Sequence, residues 1–82
     1  MKLPRDISGG ELAQILKRYG YQISRQTGSH ISLTSTIIKG ADHHITIPRH
    51  RPLKIGTLSS ILNEVASYLE IDRKTIIGEL FR

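Results

Sequence analysis

A histidine at the end of a short polar segment is the residue of this chain best suited to acid–base chemistry. His30 follows Arg25-Gln26-Thr27-Gly28-Ser29 and begins a stretch in which apolar and polar residues alternate. We predict a tight turn between two strands, in which Gly28 allows the positive φ that hairpin turns often need, and Thr27 and Ser29 supply polar turn chemistry. Such a turn would fix the His30 imidazole at a sheet edge, where it can gain or lose a proton near neutral pH.

Basic side chains accompany this histidine and suggest a polyanionic substrate. The candidate phosphate-binding residues, at strand ends or in the loop that follows, are Arg25, Arg49, Arg51 and Lys54, and His50 is a second candidate acid or base. RNA cleavage needs a base for the 2′-OH, an acid for the leaving 5′-oxygen and cations for the developing charge. These residues could supply all three without a metal. DNA lacks the 2′-OH, so the same set would favour RNA.

The adjacent histidines His43 and His44 could also suggest a metal site. Successive residues of a strand point to opposite faces, so one strand cannot offer both side chains to one ion. The chain contains no cysteine, which excludes a disulfide framework and a cysteine-based zinc site. We therefore predict no metal and no cofactor. A single histidine at a strand end is more often an ordinary surface residue, so His30 needs support from its surroundings.

Length and charge limit the classes of protein that this chain could belong to. With 82 residues it is predicted to form one domain, residues 1–82, without a deep cofactor pocket. Residues 1–56 carry nine Lys/Arg against three Asp/Glu, and residues 57–82 carry three against four. The positive excess therefore falls among loops and strand ends, which suits nucleic acid. No signal peptide or membrane span is visible, so a cytoplasmic protein without membrane contact is expected.

Helices are predicted on both sides of the segment that contains His30. Ser8-Gly9-Gly10-Glu11 matches a capping box, apolar residues then recur at helical spacing, and Gly20 is placed to end the helix. A second helix follows residues 52–57, with apolar residues again at helical spacing up to residue 69. Asp72 is expected to cap a short last helix that runs to about Phe81.

Three strands are predicted between the first two helices. Residues 21–26, 30–37 and 43–48 alternate in polarity, and the proline at the end of the third segment would stop the hydrogen-bond ladder. The alternation places Arg25 on the same face as Tyr21. The predicted fold is α+β, in the order α-β-β-β-α with an additional C-terminal helix. Its three-stranded antiparallel sheet has helices on one face and polar side chains on the other.

The pairing of the second and third strands depends on where the chain turns. If the turn is centred on Gly40, the numbers of paired residues sum to 80, which puts His30 opposite His50, Leu33 opposite Ile47 and Thr34 opposite Thr46. A shift of two residues keeps every side chain on its face and puts His30 opposite Pro48. The face of each residue is therefore predicted more firmly than its partner.

Several segments of the chain, in this order, resemble the HicA family of toxins. They are Leu3-Pro4-Arg5-Asp6, Gly20-Tyr21, Arg25-Gln26-Thr27-Gly28-Ser29-His30, Ile45-Thr46-Ile47-Pro48-Arg49-His50 and Gly56-Thr57-Leu58-Ser59-Ser60-Ile61-Leu62. The resemblance implies a fold like a double-stranded-RNA-binding domain. It also implies the toxin of a type II toxin–antitoxin system, which cleaves mRNA independently of translation and is neutralised by a HicB-type antitoxin. The family's catalytic histidine corresponds to His30, with Gly28 and Ser29 in the turn that positions it.

The sequence therefore favours a small mRNA endoribonuclease over two other classes of protein. The first alternative is a non-catalytic RNA-binding module of the same fold. Against it, the strands offer few basic residues, and Lys54 is the only lysine near the start of the second helix. The second alternative is a protein-interaction domain, which predicts no RNA binding even at low salt.

Overall fold

The computed structural model describes residues 3–81, which form three α-helices and one antiparallel sheet. The elements, in chain order, are α1 (Gly9–Leu16), a 3-10 turn (Lys17–Tyr19), β1 (Tyr21–Gln26), β2 (His30–Ser35), β3 (His43–Pro48), α2 (Ile55–Leu69) and α3 (Arg73–Leu80). The predicted α+β class and element order are confirmed, and they are consistent with a double-stranded-RNA-binding-domain-like fold. Among the described residues, no helix combines the length and the apolar character that crossing a membrane requires.

Helix α1 begins at the predicted capping box. The Ser8 hydroxyl accepts a hydrogen bond from the Glu11 N–H at 3.1 Å, and the Glu11 carboxylate accepts one from the Ser8 N–H at 2.9 Å. The hydrogen bond that the Glu11 carboxylate accepts from the Ser8 backbone, followed by the interaction with the Ser8 hydroxyl, holds the pKa of Glu11 below its ordinary value. Gly20, at φ +85°, ends the 3-10 turn in the left-handed conformation as expected. Asp72 occupies the N-cap position of α3 in an extended conformation, as expected, but its side chain makes no capping hydrogen bond.

The sheet has the strand order β1-β2-β3, and the pairing of β2 with β3 corrects the first predicted register. His30 lies opposite Pro48, and Thr34 lies opposite His44, which is the register shifted by two residues. The reason is the position of the turn: the Ala41 N–H donates to the Ile38 carbonyl, so the turn is not centred on Gly40. The ladder begins where Ser35 meets His43, and β2 therefore ends two residues before its predicted end.

A β-bulge in β1 changes the predicted face of one arginine. Ile23 pairs with Leu33 and Arg25 pairs with Ser32, so Ser24 is an extra residue in the ladder. Because paired residues of a ladder share a face, Arg25 lies on the polar face of the sheet, with Ser32. Simple alternation had placed it with Tyr21 on the core face. The bulge thus puts Arg25 on the same face as His30.

The core lies between the other face of the sheet and the helices. Its buried apolar side chains include Ile7, Leu12, Leu16, Tyr21, Ile31, Leu33, Ile45, Ile47, Leu53, Leu58, Leu62, Val65, Ile76 and Leu80. Burial of this apolar surface is the main favourable contribution to folding. The polar face of the sheet stays exposed or half-exposed, which leaves it accessible to a ligand.

Candidate active site

The turn that carries His30 is organised by the side chain of Thr27. Its Oγ1 accepts hydrogen bonds from the N–H groups of His30, at 3.0 Å, and of Ser29, at 3.3 Å. The Thr27 N–H donates to the His30 carbonyl at 2.9 Å and closes the loop. Among the described residues, left-handed glycines occur at Gly20 and Gly40, so the positive φ expected at Gly28 was wrong. A threonine three residues before the histidine was the available sequence signal for this side-chain-to-backbone turn.

The His30 imidazole is held through one of its two ring nitrogens. Nδ1 lies 2.9 Å from the Ser29 Oγ, within hydrogen-bond distance, and the side chain is exposed at the start of β2. In residues 3–81 no hydrogen bond reaches Nε2. Pro48, the partner of His30 across the ladder, has no backbone N–H that could donate to the imidazole. The arrangement orients the imidazole and presents Nε2 to solvent.

Arg49 joins the end of β3 to this turn. Its Nη1 donates to the Gln26 Oε1 and to the Thr27 carbonyl, both at 3.2 Å. Its backbone N–H donates to the Ser29 carbonyl at 2.9 Å. A guanidinium group has five N–H donors, so these contacts leave others for a ligand. Arg49, predicted as a phosphate-binding residue, therefore also positions the turn.

The other predicted residues are distributed around this point. Arg25 shares the polar face with His30, as the bulge requires. Arg51 lies 3.8 Å from the Glu11 carboxylate, and both side chains are largely exposed. Lys54 is exposed immediately before α2, and His50 is exposed after β3 rather than opposite His30. Thus Arg49 contacts the turn directly, whereas in the described chain no hydrogen bond connects Arg51, Lys54 or His50 side chains to it.

Gly9 fixes the segment that carries Arg49 and His50. A Cβ placed on Gly9 would lie 2.0 Å from the Pro48 carbonyl oxygen, so only glycine allows this approach. The Gly9 N–H donates to the His50 carbonyl at 3.0 Å. In the sequence Gly9 is recognisable only as part of the capping box, because nothing local indicates that a distant strand end packs against it.

His43 belongs to the core side of the sheet, and His44 to the polar side. The His43 Nδ1 lies 2.7 Å from the Tyr21 hydroxyl, and its ring stacks on Tyr68 with centroids 4.8 Å apart. Burial, followed by the nearby Tyr68 and Glu64, raises the pKa of Tyr21 and keeps its phenol protonated. His44 instead pairs with Thr34. The prediction that these two histidines face opposite sides is confirmed, and His43 contributes to packing rather than to the candidate site.

Replacing Thr27 by valine is expected to lower the free energy of unfolding by about 1 kcal/mol, because two amide N–H groups lose their acceptor. Urea unfolding followed by circular dichroism measures this change. Gly28→Ala is the matched control: no atom lies within 4 Å of the added Cβ and φ is not left-handed, so a change within about 0.5 kcal/mol is expected. An equal loss in both variants would contradict the role assigned to Thr27.

The sequence matches the family described as "HicA toxin of bacterial toxin-antitoxin" over residues 9–66, which is more than half of the chain. The matched region begins at Gly9, contains the turn with His30 and ends in α2. No curated protein and no solved structure matches the chain. Families of this kind act with a cognate antitoxin, and the length of the match shows that this chain belongs to the HicA toxin family of bacterial toxin–antitoxin systems.

Proposed function

We propose that this toxin is a metal-independent endoribonuclease that cleaves mRNA, with His30 as its general acid or base. The observation that supports this most is the imidazole of His30, held at Nδ1 by Ser29 and exposed beside an arginine that is bonded to the same turn. A ring fixed through Nδ1 can exchange a proton through Nε2.

The reaction requires a proton transfer at each end of the cleaved bond. When Nδ1–H donates to the Ser29 hydroxyl, Nε2 of His30 is free to take the proton of a ribose 2′-OH. The 2′-oxygen then attacks the adjacent phosphorus, the bond to the 5′-oxygen breaks, and that oxygen takes up a proton. The products are a 2′,3′-cyclic phosphate and a 5′-hydroxyl. We assign the second proton transfer to His50, which follows β3 close to Pro48, the partner of His30.

Cationic side chains would stabilise the charge that develops on the phosphate. Arg49 is bonded to the His30 turn, and Arg25 lies on the same sheet face, so we assign both to the reacting phosphate. Arg51 and Lys54 lie further along the chain and would contact neighbouring phosphates. The cognate antitoxin, which the resemblance suggests is of the HicB type, would neutralise the toxin by covering this basic surface with acidic residues.

Comparing RNA with DNA of the same sequence, in EDTA, tests the proposed activity. The native chain is expected to cleave the RNA and leave the DNA intact, because only RNA supplies the attacking 2′-OH. Affinity for RNA should fall as salt rises. RNA that is bound but not cleaved would support the non-catalytic module instead, and failure to bind RNA at low salt would support a protein-interaction domain.

A further inference from the structure

A row of three hydrogen-bonded side chains crosses the polar face of the sheet at a distance from His30. The Thr34 Oγ1 lies 3.2 Å from the Ser24 Oγ on β1 and 3.0 Å from the His44 Nδ1 on β3. The Ser24 hydroxyl also donates to the Ser32 carbonyl at 3.2 Å. We call Ser24, Thr34 and His44 the polar row. It is not needed for the proton transfers proposed above.

All of these hydrogen bonds can form together only when Nδ1 of His44 carries a proton. A carbonyl can only accept, so the single hydroxyl proton of Ser24 is used on Ser32. Ser24 must then accept from Thr34, whose own proton is used in turn. Thr34 is therefore the acceptor for His44, and Nδ1 of His44 carries the proton. In neutral His44 the other nitrogen, Nε2, has a free lone pair, and the side chain is exposed.

The residues of this face indicate which kind of ligand group would form a hydrogen bond with Nε2 of His44. The strand sequences YQISRQ, HISLTS and HHITIP contain no Asp or Glu, so the face does not repel a polyanion. Their one aromatic residue outside histidine, Tyr21, is buried on the opposite face, so no tyrosine ring is offered for base stacking. A hydrogen-bond acceptor on a face without a tyrosine for stacking suits the 2′-hydroxyl of a ribose, a donor that every RNA nucleotide offers whatever its base.

The distance from His30 also suits a single RNA strand. His44 lies four residues along β3 from Pro48, the partner of His30, which corresponds to about 13 Å at the usual rise of a strand. A stacked nucleic-acid strand advances about 3.4 Å per nucleotide, so about four nucleotides cover this distance, and fewer if the strand is extended. A single strand lying over the open sheet could therefore reach both histidines.

We propose that the polar row is a binding subsite for RNA, in which Nε2 of His44 accepts a hydrogen bond from a ribose 2′-OH within about four nucleotides of the cleaved bond. This inference rests on the proposed ribonuclease function and adds to it a second position at which RNA is distinguished from DNA. The contact is to the sugar, so it is independent of base sequence.

Single 2′-deoxy substitutions along a short RNA substrate test the subsite. The ribose at the cleaved bond is kept intact, and kcat/KM is measured for the native chain, for His44→Ala and for Thr75→Ala on exposed helix surface. With the native chain and Thr75→Ala, one deoxy position within about four nucleotides of the cut is expected to lower kcat/KM about three- to tenfold. With His44→Ala that loss should disappear.

The other outcomes overturn the inference in distinguishable ways. The same deoxy pattern in His44→Ala as in the native chain, or no sensitive position beyond the cleaved bond, would overturn the subsite and leave the ribonuclease intact. If His44→Ala keeps the native sensitivity to each 2′-deoxy position but binds the cognate antitoxin more weakly, the polar row is a protein interface instead. Failure of the native chain to cleave the unsubstituted RNA would remove both proposals.

Discussion

Replacing His30 by alanine is expected to lower the single-turnover rate of RNA cleavage by about 10²–10⁴-fold, the usual contribution of a positioned acid or base. The side chain is exposed, and its hydrogen bond in the described chain is to the neighbouring Ser29. Its loss should therefore change the free energy of unfolding by no more than about 0.5 kcal/mol. RNA affinity, which depends mainly on the cations, should stay within a few-fold of native. The rate and the affinity are measured on the same labelled RNA.

Two further histidine variants make the result specific. His44→Ala removes an equally exposed imidazole from the same sheet face, and its rate should fall at most about tenfold, because it loses a sugar contact and not a proton transfer. His50→Ala should have an effect between those of the other two if His50 is the second acid or base. Comparable losses from His30→Ala and His44→Ala would show that the rate follows the charge or shape of the face, and would remove the catalytic role of His30.

Replacing Gly9 by alanine is expected to lower the free energy of unfolding by about 2–4 kcal/mol, which is large for the addition of one methyl group. The new Cβ would meet the Pro48 carbonyl oxygen at 2.0 Å and the carbonyl carbon at 3.0 Å. Both are backbone atoms that cannot rotate away, so α1 or the end of β3 must move. The Gly9 N–H bond to the His50 carbonyl would be strained by the same movement.

The neighbouring glycine provides the matched control. Gly10 is also in the first turn of α1, but the nearest atom to its added Cβ is the Ser8 Oγ at 3.9 Å, an ordinary contact. Gly10→Ala should be neutral or stabilise the protein by up to about 1 kcal/mol, as expected for a better helix former. Thermal or urea unfolding of the two variants side by side measures the difference. A Gly9→Ala protein as stable as Gly10→Ala would show that the close approach to Pro48 is not required.

The features predicted correctly from sequence are those set by local patterns. Three such features depend only on residues that are close together in the sequence. They are the capping box at Ser8 and Glu11, the left-handed Gly20 and the strand that begins at His30. The alternation of β2 and β3 assigned each side chain to the correct face although the first register was wrong, because a shift of two residues leaves the faces unchanged. The register itself required the turn at Ile38–Ala41, which the pattern of polar and apolar residues did not reveal.

The features that could not be predicted depend on contacts between distant segments. The bulge at Ser24 reverses the face of Arg25; the charged Arg25 interrupts the apolar series of Tyr21 and Ile23, but the sequence does not show that an extra residue enters the ladder at Ser24. The packing of Gly9 on Pro48 joins residues 39 positions apart in the chain. The turn was expected to depend on a left-handed Gly28, whereas hydrogen bonds to the Thr27 hydroxyl hold it. His30 and Arg49 were identified as candidates by residue type, but only the folded structure shows that Arg49 is hydrogen-bonded to the turn that carries His30.

The most direct test of the proposed reaction is to identify the ends of the RNA fragments that the native chain produces in EDTA. Attack by the 2′-oxygen must leave a 2′,3′-cyclic phosphate on one fragment and a 5′-hydroxyl on the other, and both are resolved by mass spectrometry. We expect these ends, at an unchanged rate when EDTA is present, and their absence from an identically purified His30→Ala sample. Cleavage that stops in EDTA, or that leaves a 5′-phosphate, would contradict the proposed reaction.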